Sequence, residues 1–241
     1  MKWFYKYTGV VFATFFTLIV QAQDEGIITY SLDSSSNRLQ GKLLGEVYTM
    51  SHDANAYFLQ PQDWMPGTVT LNNGQLFEAL SLRFEASENQ LIAYNENGRF
   101  LYRIEKDLVK GFSFTQHERT FNFIRITKNK NQQTNMYFQE VYKGSMSLLV
   151  KWFIYERSVI PYVDRNGLSR ATEYELNKDY YLYSEDSGFQ KIKLKNSAVY
   201  SSFPHYKKEI RKLFRQNNID VKEEQSMVSA LMLLDENGLL K

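Results

Sequence analysis

The run TVTL-NNG-Q-LFEALSLRF, residues 68–84, decides the fold. Its two halves are rich in β-branched and aromatic residues, which favour strands, and they flank an Asn-Asn-Gly turn. Gly74 can supply the positive φ that a tight hairpin turn requires. Leu80, Leu82 and Phe84 alternate with polar residues, as in a strand with one face in a core and the other in water. We therefore predict an antiparallel β-hairpin here.

The same pattern recurs along most of the chain. Turn signals at 95–98 and 186–188 separate further strand-like runs, and phenylalanines alternate with other residues at 112–114 and 121–123. We predict about ten to thirteen strands, linked mostly by hairpins into an antiparallel sheet or a barrel. We expect a long loop at 157–170, which contains a proline and an Asn-Gly pair.

Apolar residues change to helical spacing near the C-terminus, which predicts two amphipathic helices. The first opens at Pro204 and ends at Asn217-Asn218, and its apolar face comprises Tyr206, Ile210, Leu213 and Phe214. The second opens with a capping box formed by Asp220 and Glu223, and its apolar stripe comprises Met227, Ala230, Leu231 and Leu234. Gly238 follows as a stop signal.

The first 22 residues have the composition of a secretory signal peptide. Lys2 and Lys6 form a positive head, residues 9–20 are an uncharged apolar run, and Ala22 is small enough to precede a cleavage site. The run is shorter than the about 20 residues of a membrane span. An N-terminal membrane anchor extended by residues 3–7 is the alternative. We expect an exported protein, periplasmic or secreted, cleaved after about Ala22.

The predicted organisation is therefore a signal peptide at 1–22, an antiparallel β body at 23–196 and a C-terminal helical hairpin at 197–241. The expected fold class is mainly β with a small α appendage (α+β). Removal of the two signal lysines from 29 basic residues leaves 27, equal to the 27 acidic residues. A neutral mature chain has no global field to attract nucleic acid.

The chain has no cysteine, which excludes disulfides, thiol nucleophiles, thiolate metal sites and lipid attachment at an export signal. His52, His117 and His205 lack the spacing of metal ligands. His117-Glu118 beside Asp107 resembles a base with its orienting acid, but no nucleophile motif accompanies it. We assign no catalytic, cofactor-binding or metal-binding residue.

Carboxylate pairs are the machinery of glycoside hydrolysis and also the ordinary solvent face of a strand. Glu85/Glu88 and Glu173/Glu175 are such pairs. A hydrolase of envelope polymers is therefore the least favoured function.

The first predicted helix has a basic face, which is a candidate partner-binding surface. Against the single Glu209 it carries Lys207 and four residues that we single out: Lys208, Arg211, Lys212 and Arg215. Such a face can bind phosphate head groups or an acidic partner. The alternative is a solvated face balanced by Glu223 and Glu224 of the next helix.

Aromatic residues are abundant and offer a second candidate site. Trp64, Trp152, Tyr174 and Tyr181 are possible stacking residues for a small apolar ligand or a glycan in a β cavity. The alternative role is core packing and cross-strand pairing.

Several motifs carry a resemblance to a known group. They are 64–74 (WMPGTVTLNNG), 82–84 (LRF), 89–91 (NQL), 106–110 (KDLVK) and 203–214 (FPHYKKEIRKLF). Together with the signal ending in Ala-Gln, they resemble exported β-rich proteins of Bacteroidota-type bacteria, a family of unknown function. The resemblance is best over 57–112 and 197–234. It implies a cell-envelope location, a β body and a C-terminal helical hairpin, and it implies no catalytic residues.

We expect a non-enzymatic exported envelope protein that acts as a protein-interaction or assembly module with an envelope protein partner. The alternative is a carrier or binder of a small ligand or glycan. Charged residues interrupt most strand-like runs, as at 99–106, so we do not expect an integral membrane protein.

Overall fold

The structure is a computed structural model that describes residues 25–29, 42–49, 59, 64–95, 99–129, 132–164, 167 and 169–240. The predicted signal peptide, the turn glycine at 98 and His52 lie outside these residues.

Among the described residues twelve strands precede three α-helices, so the predicted fold class is confirmed. The strands are β1 (Glu25–Thr29), β2 (Lys42–Tyr48), β3 (Met65–Leu71), β4 (Leu76–Glu85), β5 (Gln90–Asn95), β6 (Phe100–Ile104), β7 (Val109–Gln116), β8 (Arg119–Asn129), β9 (Gln132–Tyr142), β10 (Ser147–Val163), β11 (Ser169–Ser184) and β12 (Gly188–Ile192). The helices are α1 (Asn196–Ser202), α2 (Lys207–Gln216) and α3 (Glu224–Glu236), and 3-10 turns lie at Lys106–Leu108 and Pro204–Tyr206.

One sheet contains all twelve strands in the order β1-β2-β6-β5-β4-β3-β7-β8-β9-β10-β11-β12. The strands β3 to β6 form a meander whose last strand pairs with β2 and whose first strand pairs with β7. The predicted hairpins β3–β4, β5–β6 and β11–β12 are all present. Gly74 and Gly188 have the positive φ that their turns require. Among the described strands β1 and β12 are the two ends of the order, which is the pairing of an open sheet.

A first hydrophobic core lies along one face of β2 to β9. Its centre is aromatic: the ring of Phe123 lies 4.7 Å from that of Phe84 and 4.6 Å from that of Phe112. Phe114 and Phe121 are buried beside them, so the predicted alternation of phenylalanines is confirmed. The ladder alone does not bring β4 close to β9. The sheet must curl to do so, because Phe84 contacts Tyr137 across the core.

A second core joins the helices to β10, β11 and β12. Leu148, Val150, Leu182 and Ile192 form its sheet side. The predicted stripe of the last helix is its helical side, since Met227, Ala230, Leu231 and Leu234 are fully buried. Burial of this stripe fixes α3 on the sheet.

The helical end differs from the prediction in two respects. The structure has an additional helix, α1, before the predicted pair. The predicted capping box was also misplaced: α3 begins at Glu224, and the Ser226 hydroxyl accepts from the backbone N–H of Glu223 at 3.1 Å. Asp220 instead forms an ion pair with Lys222 at 2.6 Å. The observed capping box is formed by Glu223 and Ser226, three residues further along than the predicted one.

Candidate interaction surfaces

The hairpin of β10 and β11 extends far beyond the sheet. The neighbouring strand β9 pairs with β10 only at 148–150, and β12 pairs with β11 only at 180–184. Beyond these positions the two strands pair only with each other among the described residues. We call residues 151–163 and 169–179 the arm, which is roughly 40 Å long at about 3.3 Å per residue.

The predicted loop at 157–170 is therefore wrong over most of its length. Strand β10 continues to Val163, and β11 begins at Ser169. Pro161 suggested a break, but it sits in a bulge of a strand that, among the described residues, has no third neighbour at this position, a place where proline is tolerated. The β-branched and aromatic residues at 159–163 were the signal for a strand.

The base of the arm is anchored on the first core. Trp152, Ile154 and Leu176 pack against that core. The indole N–H of Trp152 donates to Oε1 of buried Gln139 at 2.8 Å, and the Lys178 ammonium lies 5.2 Å from the Trp152 ring centre. These contacts hold the arm at its base and leave its tip to solvent.

The tip of the arm is apolar and exposed. Two extra residues of β10 bulge out between Ser158 and Tyr162. The bulge displays Ile160, whose side chain is 89% exposed, and Val163 is 69% exposed. A bulge re-aims side chains, and an isolated two-stranded hairpin is only marginally stable in water. Contiguous exposed apolar side chains are typical of interaction sites, so the tip is a candidate for one.

Two ion pairs lie close to this tip. Arg157 forms an ion pair with Glu173, and Nε of Arg170 lies 2.9 Å from the Asp164 carboxylate. The predicted acid pair Glu173/Glu175 is thus divided, with Glu173 bound to an arginine. Burial of the tip against a partner would leave no isolated charge in these two pairs.

The predicted basic face lies on α2, opposite its buried side. Ile210 and Phe214 are fully or almost fully buried in the second core. The outward face is exposed and comprises Lys207, Lys208, Arg211, Lys212 and Arg215. Within the described residues no acid lies within ion-pairing distance of any of these five cations.

The expected balance from the next helix is wrong for Glu224. Its carboxylate instead binds Nη2 of Arg119 at 2.6 Å, Nζ of Lys178 at 3.0 Å and the Tyr180 hydroxyl at 3.1 Å. Burial alone would raise the pKa of Glu224, but the hydrogen bonds and positive charge of its partners outweigh burial and lower it. The prediction paired Glu224 with the neighbouring helix because the two are close in sequence, whereas its partners lie on strands far away in sequence.

A polar cleft of about 970 Å³ surrounds this network, between the β7–β8 turn and the start of α3. His117 and Glu118 form the turn, both with positive φ, and line the cleft together with Gln139. Its mixed charges and hydroxyls suit a polar ligand rather than an apolar one.

The predicted stacking residues do not share one cavity. Trp64 lies 5.6 Å from the Tyr94 ring, with the Arg83 guanidinium 4.6 Å from its ring centre. Trp152 and Tyr174 occupy the same face of the arm, because both alternate in register with Ile154 and Leu176. Tyr181 lies on the opposite face, in a cluster with Phe138 and Phe189. The four residues are thus distributed over three places.

The candidate acids and histidines are also dispersed. Asp107 pairs with Arg125 at 3.2 Å and accepts from Asn135 at 2.8 Å, and His205 is exposed on the 3-10 turn before α2. Glu88 pairs with Arg103 at 3.0 Å.

Buried Glu85 accepts from the Tyr48 hydroxyl at 3.3 Å. Burial and then the charge of Glu88 raise the pKa of Glu85. In the part of the chain that the structure describes, no three metal-ligating side chains cluster.

Comparison with known proteins finds no matching family model, no matching curated protein and no matching solved structure. None of the described helices is long and apolar enough to cross a membrane. The resemblance to exported Bacteroidota proteins rests on the sequence motifs alone.

Proposed function

We propose that the protein is an exported, non-enzymatic assembly module of the cell envelope that docks onto an envelope protein through its arm. The observation that carries this proposal is Ile160, an aliphatic side chain 89% exposed at a bulge on a projecting two-stranded hairpin. Solvent exposure of such a residue is unfavourable, and a partner pocket that buries it would gain about 1.5–3 kcal/mol.

The surroundings of Ile160 support a protein pocket as its destination. The neighbouring arginines Arg157 and Arg170 are already paired with Glu173 and Asp164. A pocket that closes over the tip therefore need not supply counter-charges for these two arginines, and shape can provide the specificity. A few fully buried residues near the centre of an interface provide most of its binding energy.

The test is photo-crosslinking from the tip in the native envelope. A photoreactive phenylalanine analogue replaces Ile160 in one variant and exposed Lys110, on β7, in a control variant. We expect one reproducible protein adduct from position 160 and none of that mass from position 110. Lipid adducts alone, or identical adducts from both positions, would refute docking of the tip onto a protein.

A substitution tests the energetics of the same contact. Because Ile160 is exposed, Ile160→Asp should leave the melting temperature unchanged while it removes the partner. Ile160→Leu keeps an apolar side chain and should retain the partner. Equal retention by both variants would contradict the proposal.

The polar cleft beside α3 supports a second candidate function, the binding of a glycan or another polar ligand. Glu224, Lys178 and Tyr180 present a carboxylate, an ammonium and a hydroxyl to a cleft of about 970 Å³. Native mass spectrometry of the protein purified from its envelope tests this function. A retained ligand that is lost in Glu224→Gln would favour it, and a ligand-free mass would count against it.

A further inference from the structure

We propose that the basic face of α2 binds the phosphate groups of an anionic lipid surface. The face consists of Lys207, Lys208, Arg211, Lys212 and Arg215. This site is separate from the arm and goes beyond docking of its tip, because it would hold the protein against a membrane while the arm engages a protein.

The spacing of the five cations makes one continuous stripe. Residues three or four apart on a helix are neighbours on its surface, so 207, 211 and 215 form one row and 208 and 212 a second. The stripe is about 12 Å long at about 1.5 Å per residue. Arg211 is held in place by the Tyr200 ring, whose centre lies 5.3 Å from the guanidinium carbon.

Three acids of the helical segment are engaged elsewhere, and among the described residues Glu209, on α2 itself, forms no ion pair with the stripe. Glu224 binds Arg119 and Lys178 on the strands, Asp220 pairs with Lys222, and Asp235 accepts from the Tyr142 hydroxyl at 2.8 Å. The helical segment therefore separates its charges and turns its cations toward solvent. A negatively charged surface is the complement of such a patch.

The shape of the stripe favours a lipid surface over an acidic peptide. Ile210 and Phe214 are locked in the second core, so the outward side of α2 is a convex ridge of charges. A shallow depression of about 360 Å³ lies among the charged side chains on the outward side. Its lining residues are Lys208, Arg211, Lys212, Arg215 and Gln216. A peptide that docks as an amphipathic helix needs a groove with apolar anchors, which this ridge does not offer, whereas a plane of phosphates needs charge alone.

The buried face also predicts how the protein would sit. Since its apolar residues are committed to the core, α2 cannot roll its apolar side into the bilayer as an interfacial amphipathic helix does. Attachment would be electrostatic, peripheral and reversible by salt.

The experiment is vesicle flotation of the purified protein. The vesicles are phosphatidylcholine alone or phosphatidylcholine with about one-third phosphatidylglycerol, at about 50 and about 300 mM salt. We expect binding only to the anionic vesicles, with loss at high salt. The triple variant Lys208→Glu, Arg211→Glu, Lys212→Glu should bind about tenfold more weakly or worse, since each cation near an anionic surface contributes to attachment.

A matched control separates a local patch from net charge. The triple variant Lys110→Glu, Lys128→Glu, Lys143→Glu changes three other exposed lysines to the same acid and should bind nearly like the wild type. Equal losses in both triple variants would overturn the proposal. Binding to polyglutamate without binding to vesicles would overturn it too, and would assign α2 to an acidic protein.

The arm is tested separately in the same assay. Ile160→Asp should leave flotation unchanged, because the tip does not belong to the basic face. Ile160→Asp could instead abolish flotation while the triple variant Lys208→Glu, Arg211→Glu, Lys212→Glu still floats. The tip would then insert into lipid, and both the α2 site and docking of the tip onto a protein would be wrong.

Discussion

The side chain of Asn89 pairs with the backbone of Tyr137 as a neighbouring strand would. Nδ2 of Asn89 donates to the Tyr137 carbonyl at 2.9 Å, and the Tyr137 N–H donates to Oδ1 of Asn89 at 2.7 Å. Asn89 lies in the turn after β4. Tyr137 lies on β9, outside the part of β9 that pairs with β10. One amide thus ties the two parts of the sheet that curl around the first core.

Loss of this amide should destabilise the protein strongly. Asn89→Ala removes two buried hydrogen bonds and leaves a buried N–H and C=O without partners, so we expect a loss of about 2–4 kcal/mol in urea unfolding. Asn89 has φ 56, which glycine tolerates, so Asn89→Gly tests the bonds without the backbone cost. If Asn89→Gly unfolds like the wild type, the amide is not a stabilising contact.

A second prediction concerns acid stability and Glu224. Its pKa is lowered in the folded state because the hydrogen bonds and charge of Lys178, with Tyr180 and Arg119, outweigh burial. A depressed folded pKa gives stability that is present above the unfolded value of about 4.3 and is lost as the pH falls through the folded value. Glu224→Gln should therefore reduce the free energy of unfolding at pH 6 by about 1–2 kcal/mol and by much less at pH 3. A difference that does not change between the two pH values would contradict this role.

The hairpins were predictable because each depends on neighbours in sequence. The turn glycine at 74 and the alternation of Leu80, Leu82 and Phe84 are local signals, and so are the apolar spacings of α2 and α3. The curl was not predictable, since Asn89 and Tyr137 are 48 residues apart. An asparagine before a strand reads as an ordinary turn residue until the strand it bonds is known.

The candidate surfaces follow the same division. The basic face of α2 was predictable because the helical period and the sequence of charges together place the cations on one side. The arm was missed because a proline normally indicates a break in a strand. Pro161 is compatible with β10 because this part of β10 pairs only with β11 among the described residues. The partners of Glu224 were missed because they lie on β8 and β11, far away in sequence.

A third prediction concerns alkaline pH and Lys106. Burial, together with the charge of Arg125, lowers the pKa of Lys106 to about 8, and its ammonium lies 3.3 Å from Oδ1 of Asn89. Between about pH 8 and the unfolded value of about 10.4, the unfolded chain binds a proton that the folded chain has lost. The contribution of Lys106 to stability should therefore rise with pH in this window.

Lys106→Met tests this sign. The free energy of unfolding of the wild type relative to this variant should increase from pH 7 to pH 9.5, with Lys110→Met as the control for loss of an exposed charge. The measurement stays below pH 10 because burial raises the pKa values of Tyr48 and Tyr142 to about 12. Above pH 10 the unfolded chain loses these two protons before the folded chain does, and the free energy of unfolding falls. A relative stability that falls over this range would overturn the assignment.

A fourth prediction distinguishes two glycines of the deciding hairpin. A Cβ on Gly67 would lie 2.3 Å from the Ser113 carbonyl oxygen and 2.7 Å from Leu82 Cδ1, between two strands that both pair with β3. A Cβ on Gly74 meets nothing within 4 Å, but its φ of +84° is unfavourable for residues with side chains. Gly67→Ala should cost about 1–3 kcal/mol through crowding and Gly74→Ala about 1–2 kcal/mol through backbone strain.

Asparagine separates the two causes. It tolerates the left-handed region better than alanine, so Gly74→Asn should be more stable than Gly74→Ala. At Gly67 the larger side chain adds to the clash, so Gly67→Asn should be less stable than Gly67→Ala. Thermal unfolding of the four variants measures both differences. The same rank order at the two positions would mean that one cause acts at both. That result would contradict the prediction, which rests on the close contacts of Gly67 and the open space around Gly74.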